Sequence, residues 1–208
     1  MKRRRTPGQR AGLSRAQVLD ATHRLLAEHG LDGLTMRTLA ERLEVAPNAL
    51  YSHVTSKTAL IDAVLDDVLA EVEAPAPGVG DPSAGLHDLM ISTYQVLLVH
   101  RDLVPAYLAR QGARGPNAQR LGEIMLELLD RAGVSGARAP EAMRVLIVYT
   151  IGFAAFATRP PIDAGASGPV PGEELTGNFV SGLRWLLAGI AAPNPDVNPR
   201  GRTGRRDA

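Results

Sequence analysis

Cysteine is absent from all 208 residues. Disulfides and thiolate chemistry are therefore excluded, and redox gives no guide to compartment. No run reaches the roughly 18 uninterrupted apolar residues of a membrane span. The basic start, MKRRRTPGQR, lacks the apolar stretch that a signal peptide needs. These absences lead us to expect a soluble, cytoplasmic chain with no membrane partner. Catalytic signatures are missing too: there is no HExxH, no Gly-x-Ser-x-Gly, no Walker A lysine loop and no GxGxxG. The five histidines, at positions 23, 29, 53, 87 and 100, show no metal-ligand spacing. No catalytic residue, metal or cofactor is expected.

What is present is a hydrophobic content of 45%, enough for a real core, and an uneven charge. The net charge is only +1, but residues 1–57 hold ten Lys/Arg against five Asp/Glu, while residues 58–198 hold nine against sixteen. The last ten residues are basic again, with four against one. A basic head on an acidic body suits a protein that presents one end to a polyanion. The pattern predicts a disordered basic arm over 1–13, a helical DNA-binding unit over 14–57 and a connector helix over 58–74. A body over 75–192 and a disordered tail over 193–208 follow. The arm is either a DNA contact or a solvated tail.

The rest is organised around Leu34 to Leu60, LTMRTLAERLEVAPNALYSHVTSKTAL. Ser14-x-x-Gln17 is a capping-box pattern opening a first helix that Gly30 ends. Thr35 caps a second helix, Met36 to Leu43. Pro47, placed where its missing N–H costs nothing, starts a third helix running to about His53. Leu34, Leu39, Leu43, Val45, Leu50 and Val54 fit the inside of such a unit. Polar and small residues gather at the head of the third helix. A helix that offers its N-terminal residues outward, braced by a shorter one, is an arrangement that enters a DNA major groove.

Leu39-Ala40-Glu41-Arg42-Leu43, Val45, Ala49-Leu50-Tyr51, His53-Val54, Lys57 and Ala59-Leu60 resemble the helix-turn-helix signature of the tetracycline-repressor (TetR) family. The resemblance covers about residues 14–74; beyond that it lies only in the layout of helices. It implies base reading by Ala46, Pro47, Asn48 and Ala49, where Asn48 suits adenine edges and Ala49 a thymine methyl. It implies phosphate contacts from Thr35, Arg37, Tyr51, Ser52, His53 and Lys57. The alternatives are a surface arginine for Arg37, partial core packing for Tyr51 and a surface residue for His53. Glu44 departs from the family, which usually has glycine there because the turn needs a positive φ. A glutamate there should cost about 1–2 kcal/mol without abolishing the turn.

Beyond it the connector carries Asp62, Asp66, Asp67, Glu71 and Glu73, which read as a solvated face. Further helices are expected at Ser83 to Val99, Arg101 to Gln111, Pro116 to Ala132, Ala139 to Ala157 and Glu173 to Ala191. Residues 158–172, rich in Pro and Gly, read as a mobile loop. The architecture is thus all-α, a three-helix reading head plus a helical body. The last two helices carry more apolar surface than one small domain can cover. A four-helix packing across a twofold axis, making a homodimer, would cover it. Gly152, Ala155, Phe179, Leu183 and Leu186 are candidates for that contact; the alternative is a monomer with a private core.

The resemblance also implies a small-molecule effector site in the body. Met90, Tyr94, His100, Tyr107, Met125, Tyr149, Phe153 and Phe156 are candidates, although such residues at helical spacing are as readily core. The function expected is a homodimeric regulator, most simply a repressor released from a palindromic double-stranded operator by an effector. A ligand-independent protein of chromosome architecture is the alternative, distinguished by weak sequence preference and steep salt dependence.

Overall fold

The structure is a computed structural model and describes residues 13–76, 78, 80–159 and 170–192. The basic arm over 1–12, residues 160–169 of the expected loop and the tail over 193–208 lie outside the described residues. Among the described residues every regular element is helical, as the sequence pattern predicts.

Helix α1 spans Arg15–Gly33 and opens on a reciprocal cap. The Ser14 hydroxyl accepts the Gln17 N–H at 3.2 Å, and the Gln17 amide oxygen accepts the Ser14 N–H at 2.9 Å. Gly30 breaks it with φ +64°, and one further turn follows. Helix α2, Met36–Arg42, is capped the same way by Thr35, with Thr38 as the returning partner. Glu44 adopts φ +54°, the left-handed conformation the turn requires.

Helix α3 covers only Pro47–Leu50, shorter than the expected run to His53. Beyond Leu50 the bonding tightens: the His53 N–H donates to the Leu50 carbonyl at 2.9 Å. The Ser52 hydroxyl donates to the Ala49 carbonyl at 2.7 Å, a local bond that competes with helix continuation. Val18, Leu34, Leu39, Leu50 and Leu60 are wholly buried and form the core of this head. Each contributes about 1.5–3 kcal/mol by its burial.

Helix α4, Lys57–Val68, leads out of the head, and a 3-10 turn at Leu69–Glu71 interrupts the connector helix expected over 58–74. The body follows as α5 (Pro82–Val99), a 3-10 turn at Arg101–Leu103, α6 (Val104–Arg110), α7 (Pro116–Arg131), α8 (Arg138–Thr158) and α9 (Gly172–Ala191). Helix α8 is the hub, packed against α5, α6, α7 and α9. By length and composition it is apolar enough to cross a bilayer. It nevertheless carries Glu141 and Arg144, and its Leu146, Thr150 and Ala154 are buried in the body. Among the described residues the head packs on the body through α4 and through α1, which lies against α6 and the Arg101–Leu103 turn.

Candidate DNA-reading head and effector cavity

Helix α3 turns Leu50 inward and its first residues outward. Ala46, Pro47 and Asn48 are exposed and Ala49 is half-buried. Tyr51 is 53% exposed, so its ring stands off the core rather than in it. Ser52 is exposed and His53 half-buried. Thr35 is at the exposed start of α2. Arg37 is exposed and bonds Glu41 at 2.8 Å along α2. Lys57 does more than point outward: its ammonium donates to the Leu31 carbonyl at 2.8 Å and ties α4 to the end of α1. One of its three donors is thereby used inside the head.

Two braces hold this face that the sequence does not announce. The Arg15 guanidinium donates to the His53 carbonyl at 3.4 Å, linking α1 to the turn after α3. Arg42 grips Glu28 through both terminal guanidinium nitrogens, the Nη1 bond measuring 2.9 Å. That bond holds the Glu28 carboxyl below the usual carboxylate range.

The body holds a half-open cavity of about 790 Å³ between α5, α7 and α8, bordered by Tyr107 of α6 and the 111–116 loop. Met90, Tyr107 and Met125 of the eight expected residues line it. The other five lie elsewhere, each for a visible reason. Tyr94 is buried against Phe179, ring centroids 4.1 Å apart. Tyr149 donates its hydroxyl to the Phe179 carbonyl at 2.8 Å, and Phe153 packs on its ring. Both border a shallow cleft along α9 instead. Phe156 is on the exposed outer side of α8. His100 bonds Glu71 at 3.0 Å, with its ring 5.4 Å from that of His23, which in turn bonds Asp102 at 3.0 Å. This pair of contacts joins α1 to the body.

The connector is where the sequence reading needs correction. Asp62 and Asp66 are not a solvated face. Asp62 takes a two-pronged bond from Arg110 at the end of α6, at 2.8 and 2.9 Å. Asp66 is buried and accepts the Ala118 N–H at 2.8 Å and the Asn117 N–H at 3.2 Å, capping α7 from another helix. Between them, the Leu65 carbonyl accepts the Tyr107 hydroxyl at 2.5 Å. Burial raises the Tyr107 pKa far above a free phenol, with the Asp66 and Glu71 charges adding to it. A hint was present in the sequence: the residue before α7 is Gly115, which has no side-chain oxygen, so any side-chain cap comes from another element.

Of the expected dimer residues, Phe179 and Leu183 are fully buried within the protomer. Gly152 is exposed, and Ala155 and Leu186 are half-buried. The outward side of α8 and α9 instead exposes Val148 at 70%, Phe156 at 66% and Trp185 at 76%.

A reading head whose only covalent route to a hollow body is a helix bonded to that hollow's own wall has the build of a ligand-responsive, DNA-binding transcriptional regulator. Comparison with known proteins gives the class its family. Residues 18–64 match the family described as bacterial regulatory proteins, tetR family, and residues 74–165 match the tetracyclin repressor-like C-terminal domain. The tetracycline repressor protein class A from transposon 1721 of Escherichia coli is 33% identical over 153 residues, covering 73% of this chain and 70% of that protein. The crystal structure of ActR from Streptomyces coelicolor in complex with (S)-DNPA superposes with a TM-score of 0.72 at 25% identity, covering 87% of this chain and 98% of that one. BioQ with its natural double-stranded DNA operator superposes with a TM-score of 0.68 at 28% identity, covering 87% and 99%. The chain belongs to the TetR family.

Proposed function

We propose that this chain is a homodimeric, cytoplasmic repressor that leaves a near-palindromic operator when a small molecule fills the cavity. The observation that carries this reading is the row of three bonds on one face of α4. Asp62, the Leu65 carbonyl and Asp66 are spaced i, i+3, i+4, so they share a face. They bond Arg110, Tyr107 and the start of α7 respectively; Tyr107 and Ala118 line the cavity, and Arg110 ends the helix that carries Tyr107. A ligand that spreads α6 from α7 must pull on α4, and α4 carries the reading head. ActR with its small molecule and BioQ with its operator are relatives in which each half of this cycle is occupied.

Base reading is assigned to Ala46, Pro47, Asn48 and Ala49. Phosphate contact is assigned to Thr35, Arg37, Tyr51, Ser52, His53 and the free donors of Lys57. The exposed apolar side of α8 and α9 supplies the twofold contact, with Gly152 permitting close approach. Two heads held by that contact would sit about 34 Å apart, one DNA turn. A coupling of about 1–3 kcal/mol between cavity and head is sufficient to change operator affinity 5- to 150-fold.

The deciding experiment is selection of bound sequences from random duplex DNA. A symmetric consensus whose half-sites are one turn apart is expected. Enrichment of no sequence at physiological salt would instead favour ligand-independent, architectural binding.

A further inference from the structure

Three of the chain's five methionines, Met90, Met125 and Met143, line the cavity. Tyr107 is the one aromatic ring among its described lining residues. A thioether is flexible and polarisable, and it makes favourable contacts with aromatic rings. The wall therefore offers sulfur with almost no ring of its own to meet it.

The hydroxyls of the wall are equally one-sided, and the Gln111 and Gln119 amides that border it occupy exposed positions. Thr150 donates its hydroxyl to the Leu146 carbonyl at 2.9 Å, Thr93 to the Leu89 carbonyl at 2.8 Å, and Tyr107 to the Leu65 carbonyl. A hydroxyl whose proton is committed to a helix carbonyl has only lone pairs left to offer a guest. The charged lining residues, Arg114 and Glu123, both occupy exposed positions. Among the described lining residues the one cation is thus at the exposed margin, and burying an anion unpaired is costly.

We propose that the effector is an uncharged aromatic molecule bearing hydroxyl or N–H donors on the rings it buries. This rests on reading the cavity as the effector site. The volume of about 790 Å³ accommodates a drug-sized guest.

Titration calorimetry on the full chain tests it with four probes: a dihydroxynaphthalene, its dimethyl ether, the saturated decalindiol and a naphthalenedicarboxylate. The diol is expected to bind at least about tenfold more tightly than each of the others, a difference of about 1.4 kcal/mol. Thr93→Val with Thr150→Val should bring the diol down to the ether and leave the ether unchanged. Met90→Leu, Met125→Leu and Met143→Leu together should shrink the preference for naphthalene over decalin. Failure of the diol to bind, or equal binding by the ether or the dicarboxylate, overturns the proposal on the unmodified protein alone. Operator affinity is measured separately. A diol that binds with the expected preference but leaves operator affinity unchanged defeats the switch and supports the ligand class. A charged guest that enters the cavity and releases DNA does the reverse.

Discussion

The Asp66 carboxylate on α4 accepts the backbone N–H of Ala118 on α7 at 2.8 Å, so the connector helix is itself the cap of a cavity-lining helix. Asp66→Ala should cost about 1–2 kcal/mol, the usual loss for a helix cap. It should also blunt effector-driven release of DNA, because α7 no longer pulls on α4. Thermal denaturation and operator titration with and without effector separate the two effects. A destabilised protein whose release is unimpaired would remove Asp66 from the coupling.

Gly115 lies against that same carboxylate. A β-carbon at 115 would stand 2.5 Å from Asp66 Oδ2, and the glycine's φ of +153° is one that other residues rarely adopt. Gly115→Ala should therefore reproduce the Asp66→Ala phenotype although it removes no hydrogen-bonding atom. Wild-type stability in Gly115→Ala would show that the close approach is not needed.

Glu44→Gly should stabilise the head by about 1 kcal/mol, since glycine adopts the φ of +54° without the steric cost. For a chain of this size that is a rise of about 2–4 °C in melting temperature. An unchanged melting temperature would mean that Glu44 is not strained.

The Arg42–Glu28 brace predicts a pH dependence. Glu28 has a folded-state pKa below its unfolded value, chiefly through the Arg42 hydrogen bond. Its contribution is present above the unfolded pKa and is lost as pH falls through the folded one. Arg42→Ala should lower the melting temperature at neutral pH, and the gap to wild type should close below the ordinary carboxylate range. A gap that persists in acid would assign the loss to packing instead.

On the head, Tyr51→Ala should weaken binding to every duplex, whereas Asn48→Ala should relax preference at one base position. A bidentate amide-to-adenine pair is worth about 1–3 kcal/mol of discrimination. Sequence selection on both variants checks this, and an unaltered consensus would take Asn48 out of the reading set. At the α8–α9 surface, Trp185→Glu should yield a folded monomer by sedimentation, because the Trp185 side chain is 76% exposed in its own protomer. A persisting dimer would place the twofold contact elsewhere.

The sequence revealed most of this where a local rule operates. The Ser14–Gln17 cap, the Thr35 cap and the backbone at Glu44 all follow from neighbours within a few residues. Helix placement in the body followed apolar period and Pro/Gly breaks. What stayed hidden depended on distant partners. Asp66 looked solvated because its partner amides belong to residues 117 and 118. Phe179 and Leu183 looked like dimer contacts because periodicity shows that a helix has an apolar side but not which neighbour covers it. Tyr94 and Tyr149 pair with the α9 backbone or ring for the same reason, while Met90, Tyr107 and Met125 reach the cavity.

Helix α3 is only four residues long, and of these Leu50 alone is buried. The outward residues of α3, to which base reading is assigned, bear almost none of the fold's weight. Substituting them leaves the scaffold intact, so a duplicated copy of such a gene can acquire a new target site in few mutational steps while keeping its old sensor.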